Sequence, residues 1–252
     1  MRKLVTVFLA VFAMAVSAVA ELARAQEDQA SVDLELVLLA DASGSIDTGE
    51  IRLQRAGYAE ALRHEEVLWA IANGGRHGRI AVIFMEWASH RSQDVVVPWT
   101  VIETAEDAVA FGEAILAAPR RTVGSNAIGA ALLAGLALID GNEFDAFRRV
   151  IDLSADSLWN SSGPSIAEAR DIVLGADVVI NGLAVECRSC NGRPRPGDLE
   201  QEFTDKVIGG PGSFVVTADS DVSFSRAVRR KLIMEIADLA GAGGSEAPVF
   251  AR

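Results

Sequence analysis

The 252-residue chain has only two cysteines and three histidines. Cys187 and Cys190 cannot close a zinc site without two more ligands, and His64, His77 and His90 lie far from them in sequence. Positive charge is also scarce. Lys and Arg total 23 against 35 Asp and Glu, for a net charge of −12. Phosphate backbones and anionic lipid heads need a basic face, so this balance argues against both as partners and suits cations. No G-x-S-x-G nucleophile elbow, no G-x-x-x-x-G-K-[ST] phosphate loop and no G-x-G-x-x-G after the first strand occurs. Beyond the N-terminus no apolar run is long enough to span a bilayer.

The first 25 residues read as a secretory signal peptide. Arg2 and Lys3 precede the uncharged stretch Leu4 to Ala20, and small residues at Ala18-Val19-Ala20 and Ala23-Arg24-Ala25 offer cleavage sites. An uncleaved anchor is the alternative, since the run is near the lower limit for a span, roughly 17 residues. Cleavage implies a periplasmic or secreted protein with no stable membrane span. In that oxidising setting the C-x-x-C pair is expected to form a small structural disulfide, with a redox pair or free thiols as alternatives. Residues 26–32 read as a flexible lead-in, 33–240 as one domain, and the Gly-rich 241–252 as a loose tail.

Between these ends, apolar strands alternate with helical patterns. Strands are expected at Leu34 to Ala40, Arg79 to Trp87, Asp94 to Trp99, Arg149 to Leu153, Asp177 to Val185 and Ser213 to Thr217. Pro98 places the third at or near an edge. Helices are expected from a Ser45 or Asp47 cap to about Arg63, at Ala105 to Ala117, Asn126 to Ile139, Pro164 to Leu174, Asp198 to Val207 and Val222 to Leu239. This order predicts an α/β fold, doubly wound, with a mainly parallel central sheet flanked by helices in three layers.

The strongest chemical signal is Asp41-Ala42-Ser43-Gly44-Ser45 at the end of the first buried strand. Ligands of open α/β sheets bind outside the carboxyl ends of strands. One carboxylate and two hydroxyls on one tight turn offer the hard oxygens that Mg²⁺ or Mn²⁺ prefers. The motif and its position resemble the D-x-S-x-S sequence of the von Willebrand factor A (vWA) domain, and the resemblance extends over most of the chain after the signal peptide. It implies a Rossmann-like three-layer fold and a metal-ion-dependent adhesion site completed by two further loops. The second resembles Gly124-Ser125-Asn126-Ala127-Ile128-Gly129, where Asn126 stands at the expected Thr position beside Ser125. An Asn carbonyl oxygen or the Ser125 hydroxyl can replace Thr as a ligand; otherwise Asn126 simply caps the following helix. The third supplies Asp156, with Ser157 in place of a Gly. Segments Ile151 to Asp156 and Asn181 to Ala184 are similar to an uncharacterised secreted bacterial branch of the superfamily.

The resemblance implies an exported, non-enzymatic domain that binds a protein partner, whose Asp or Glu carboxylate completes the metal's shell. Asp41 and Asp156 together balance one divalent charge. A degenerate, metal-free interaction protein is one alternative. A metal-assisted phosphohydrolase with Asp41 as nucleophile is another, although no Lys clamp lies in the strand-end loops. Trp159, in the polar loop after Asp156, is a candidate partner contact, whereas Trp87 and Trp99 are expected to pack in or beside the sheet. Asp152 can point toward the same site, but pairing with a nearby Arg such as Arg148 or Arg149 is the favoured expectation, and Arg226, Arg229, Arg230 and Lys231 read as a solvated helix face.

Overall fold

The computed structural model describes residues 31–186, 198–218 and 221–242. The stretch read as a signal peptide, Cys187 and Cys190 lie outside these residues. Strand β1 (Ser31–Asp41) is buried from Val32 onward. It alternates Leu34, Leu36 and Leu38 to one face of the sheet and Val37 and Leu39 to the other. All are sealed from solvent, and burial of each leucine contributes about 2 kcal/mol. β1 starts at Ser31, inside the stretch read as lead-in, because Val32 is already a core residue.

Strands β2 (Ile80–Trp87), β3 (Gln93–Ile102), β4 (Asp145–Ala155), β5 (Val179–Val185) and β6 (Val215–Ala218) complete one six-stranded sheet in the order β3-β2-β1-β4-β5-β6. Only β3 runs antiparallel to its neighbour. It is the edge strand that Pro98 calls for, with that proline exposed. One face is covered by α1 (Thr48–Leu62), α2 (Glu65–Gly74), α3 (Ala105–Ala117) and α7 (Asp221–Ala242), through Tyr58, Ile71, Phe111 and Leu232. The other is covered by α4 (Ile128–Asp140), α5 (Ile166–Gly175) and α6 (Leu199–Lys206), through Leu132, Val173 and Phe203. This is the doubly wound, three-layer arrangement expected. Among the described residues no helix is long and apolar enough to cross a membrane.

Helix α1 starts where a reciprocal cap places it. Asp47 accepts from the Gly49 and Glu50 amides at 2.6 and 2.9 Å, and Glu50 accepts from the Asp47 amide at 2.7 Å. Helix α2 escapes sequence periodicity because only Arg63 and His64 separate it from α1. His64 caps it by accepting from the Glu66 amide at 3.3 Å, and Val67, Ala70 and Ile71 form its buried stripe.

Two charge assignments change. Asp152 pairs with neither Arg148 nor Arg149 but with Lys231 of α7, Nζ to Oδ1 2.6 Å. Strand alternation turns Arg149 to the opposite face, and Arg148 stands four residues, about 13 Å, back along the strand. Lys231 is therefore no part of a solvated face; it is 1 % exposed.

Candidate functional site

From β1 the chain crosses toward β2, and from β4 toward β5. The carboxyl ends of β1 and β4 thus flank the point where winding reverses, which is where such sheets open a crevice. Asp41 ends β1, and Asp156 follows the last residue of β4. Parallel pairing in register, Ala40 beside Ser154, brings the two loops side by side.

The first loop folds on its own aspartate. The Ser43 amide donates to Asp41 Oδ1 at 2.9 Å, and the Ser43 and Ser45 hydroxyls lie 3.1 Å apart. Ser43 is buried and Ser45 exposed, so the turn points one hydroxyl inward and one toward solvent. The Gly44 amide donates to the Gly124 carbonyl at 2.8 Å, stitching the first loop to the second. Gly124 is at φ +112°, a conformation L side chains rarely adopt, and a Cβ there would meet Ser89 at 2.9 Å.

In the second loop Asn126 is the residue that reaches the site. Its Nδ2 donates to Asp41 Oδ2 at 3.0 Å and lies 3.5 Å from Ser157 Oγ. Asn126 is thus not the cap of α4, whose N-cap is Ala127 with no side-chain hydrogen bond. Asn160 fills that role instead, its Oδ1 accepting from the Gly129 amide at 3.1 Å. Ser125 is exposed beside it. The third loop is bound to the second by Ser161, whose amide and hydroxyl both donate to the Asn126 carbonyl, at 2.8 and 2.9 Å. A Cβ at Gly129 would fall 2.3 Å from the Pro164 carbonyl, so only glycine lets the start of α4 lie this close to that loop.

Asp41, Ser43, Asn126, Asp156 and Ser157 are buried together at the sheet rim. Asp156 Oδ1 is buried without a hydrogen-bond partner. Burial first, and the Asp156 carboxylate second, push the Asp41 carboxyl from its ordinary 3.8 up to about 7, against the hydrogen bonds from Ser43 and Asp156 that favour the anion. Two carboxylates pressed together, one with an orphaned oxygen, form a centre short of positive charge. A divalent cation fits that deficit. Asp41, Ser43, Ser45 and Asp156 offer it hard oxygens, while Asn126 in this orientation presents an N–H and would have to turn its amide to offer one. Among the described residues no three Asp, Glu, His or Cys side chains gather, so hydroxyls would have to make up the ligand set.

No local pattern in the chain marks the support behind this turn. The Arg120 guanidinium donates to the Ala42 and Ser43 carbonyls at 2.9 and 3.2 Å. Its segment is held by Arg55, which donates to the Ala118 carbonyl and makes a buried two-point pair with Glu86 at 2.7 and 2.9 Å. Trp159 stands 67 % exposed on the third loop. Trp87 is buried in the sheet, and Trp99 is half-buried against Phe144.

Residues 31–240 match the family described as "Protein of unknown function (DUF1194)". A comparison with curated proteins finds no match. Among solved structures, the chain is similar to the pilus adhesin SpaC of Lactobacillus rhamnosus GG in its open conformation, with 15% identity and a TM-score of 0.58 over 84% of this chain and 30% of that one. It is similar to the PilB minor pilin of Streptococcus sanguinis, with 14% identity and a TM-score of 0.59 over 85% of this chain and 64% of that one. It is also similar to proximal thread matrix protein 1 of the mussel byssus, solved with a zinc-occupied MIDAS motif, with 18% identity and a TM-score of 0.56 over 82% of this chain and 48% of that one. The chain spans about a third of the adhesin's length and about half of the byssus protein's. The shared architecture is that of the vWA domain.

Proposed function

This chain belongs to the DUF1194 family, and on its vWA fold we propose that it is an exported, non-enzymatic domain that binds a protein partner through a divalent cation at the sheet rim. The observation that carries the reading is the meeting of three loops around Asp41: the Ser43–Ser45 turn, the Asn126 amide, and Asp156 with its unpartnered buried oxygen. Asp41, Ser43, Ser45 and Asp156 would hold the ion, joined by Asn126 or Ser125. A bound Mg²⁺ or Mn²⁺ supplies a Lewis-acidic centre that takes one further oxygen, here a partner's Asp or Glu carboxylate. Trp159, exposed beside Asp156, offers an aromatic anchor at the edge of that contact.

The phosphohydrolase reading is weaker. Phosphoryl transfer needs a positioned acid/base and a cationic clamp beside the nucleophile, and the side chains that contact or neighbour Asp41 in the turn, Asn126 and Ser43, supply neither. The guanidinium nearest the turn, Arg120, is engaged with main-chain carbonyls on the turn rather than offered as a clamp. A metal-free interaction protein is favoured by one observation, the Asn126 N–H already engaged with Asp41.

Calorimetric titration of the full chain with Mg²⁺ and Mn²⁺ decides between these. Saturable binding that is lost in Asp41→Ala supports the cation site; the same trace from parent and variant leaves the metal-free protein. Capture from envelope extract with Mg²⁺ and with chelator then tests the partner: bands lost on chelation are expected, and identical sets would remove the cation from recognition.

A further inference from the structure

Away from the rim, on the opposite side of β4 from α4, a second group of charges is sealed in the core. Lys231 and Glu235, one turn apart on α7, meet Asp152 of β4 and Asn181 of β5. Lys231, Asp152, Glu235 and Asn181 are each 1 % exposed or less. Nζ of Lys231 stands 2.6 Å from Asp152 Oδ1 and 2.7 Å from Glu235 Oε1. It also lies over the Phe214 ring, 5.5 Å from the centroid. Tyr58 shares the pocket, its phenol held un-ionised first by burial and then by Asp152. Apolar Leu38, Leu183, Val228 and Leu232 belong to the surrounding core.

Three features make this unlike an ordinary buried ion pair. Glu235 Oε2 is buried with no hydrogen-bond partner, and Asp152 Oδ1 has the Lys231 ammonium beside it, at 2.6 Å. Two carboxylates share the Lys231 ammonium with no water-facing side, while Arg148 reaches the main-chain carbonyl of Glu235. The cation is one of three lysines in a chain whose other 20 basic residues are arginines. Arginine suits buried two-point pairing, as Arg55 with Glu86 shows, whereas only an amine becomes a nucleophile by losing a proton.

We propose that Lys231 and Asp152 join in an intramolecular isopeptide bond, with Glu235 as the proton carrier. The step balances without any co-reactant. The Lys231 ammonium passes one proton to the Asp152 carboxylate. Nζ adds to Cγ, and Glu235 takes a second proton from the nitrogen and delivers it to a Cγ hydroxyl. The Cγ–O bond breaks, water leaves, the Nζ–Cγ amide remains and Glu235 is regenerated. Burial raises the Asp152 carboxyl above its ordinary range, with Lys231 opposing and Glu235 reinforcing that shift, which favours the protonated electrophile. The dry, apolar pocket holds the amine beside the carboxyl group at a fixed distance, the condition under which an intramolecular reaction gains most. The product would tie the last helix covalently to the middle of the sheet.

The test is the mass of the purified full chain, reduced and denatured so that no disulfide enters. A mass one water below that calculated from the N-terminal residue of the purified protein is expected. Trypsin should yield a branched peptide joining residues 150–170 to 231–252, uncut after Lys231. An unshifted mass, with a free Lys231 and a linear 150–170 peptide, overturns the proposal. Glu235→Gln, close in shape, should keep the parent's circular dichroism and lose the link, regaining one water. A folded Glu235→Gln that is linked as fully as the parent removes Glu235 from the chemistry.

Discussion

Replacing Asp41 by Asn should make the chelated protein more stable while abolishing its response to cations. In the folded chain the Asp41 carboxyl is held near 7 instead of 3.8. Between those values the folded state keeps a proton that the unfolded chain has released, so stability falls as pH rises from about 4 to about 7 and then levels off. At pH 8 the loss is at most about 4 kcal/mol. An amide carries no charge to desolvate and none to repel Asp156. Its oxygen still accepts from the Ser43 amide, but the second acceptor facing Asn126 Nδ2 is gone, a loss of about 1 kcal/mol. The net gain for Asp41→Asn in chelator at pH 8 is about 2–3 kcal/mol, or roughly 5–10 °C in Tm for a domain of this size. Scanning calorimetry in chelator at pH 4, 6 and 8 measures it, and the Asp152 titration cancels between parent and variant. The gain should vanish at pH 4, close to the ordinary carboxyl value of 3.8, where only a small part of the ionisation loss has developed and the missing hydrogen bond offsets it. Adding Mg²⁺ at pH 8 should raise the parent's Tm and leave the variant's unchanged. A variant no more stable than the parent at pH 8, or a gain that persists at pH 4, would refute the reasoning.

Arg120→Ala removes the donor behind the Ala42 and Ser43 carbonyls and should weaken Mg²⁺ binding about 3- to 10-fold by titration, with Tm in chelator changed by only a few degrees. Gly57→Ala drives a Cβ to 2.5 Å from the Phe224 ring; urea denaturation should show about 1–2 kcal/mol lost, since overpacking outweighs the helix gain, with cation titration unaltered. Trp159→Ala should leave Tm within about 1 °C, because the ring is exposed, and reduce cation-dependent partner capture.

The strand–helix alternation was legible because buried parallel strands write themselves as apolar runs. RIAVIFMEW and RVIDL stand out without any partner in view. Asp41 was legible for the same reason: a carboxylate closing such a run meets a crevice. What a linear reading could not supply was contact across long separations. Arg120 lies 78 residues from Ala42, and nothing local marks a guanidinium that will back a distant turn. Asn126 carries every sign of a cap, yet strand order places it against Asp41 while Asn160 serves the helix. Lys231 follows Arg229 and Arg230 in what reads as a basic surface. Only the docking of α7 on β4 reveals that it points inward.

On the proposed cation reading, Asn126 also sets the state of the rim that an ion would meet. Its N–H lies 3.0 Å from Asp41 Oδ2 and puts a partial positive charge against a carboxylate that Asp156 repels. It thereby offsets part of the repulsion in the two-carboxylate centre, much as a weak, permanent substitute for a cation. A cation must then break that bond or turn the amide, and forfeits about 1 kcal/mol that a hydroxyl at this position would not withhold. Asn126→Thr, with the residue that the resemblance leads one to expect there, should therefore bind Mg²⁺ about 5- to 10-fold more tightly, while its chelated form melts lower than the parent. Titration and melting of the same variant give both numbers. Tighter binding without the lower melting point would mean that the Asn126–Asp41 hydrogen bond contributes nothing to the ion-free fold, and the account of this rim as balanced between two states would fail.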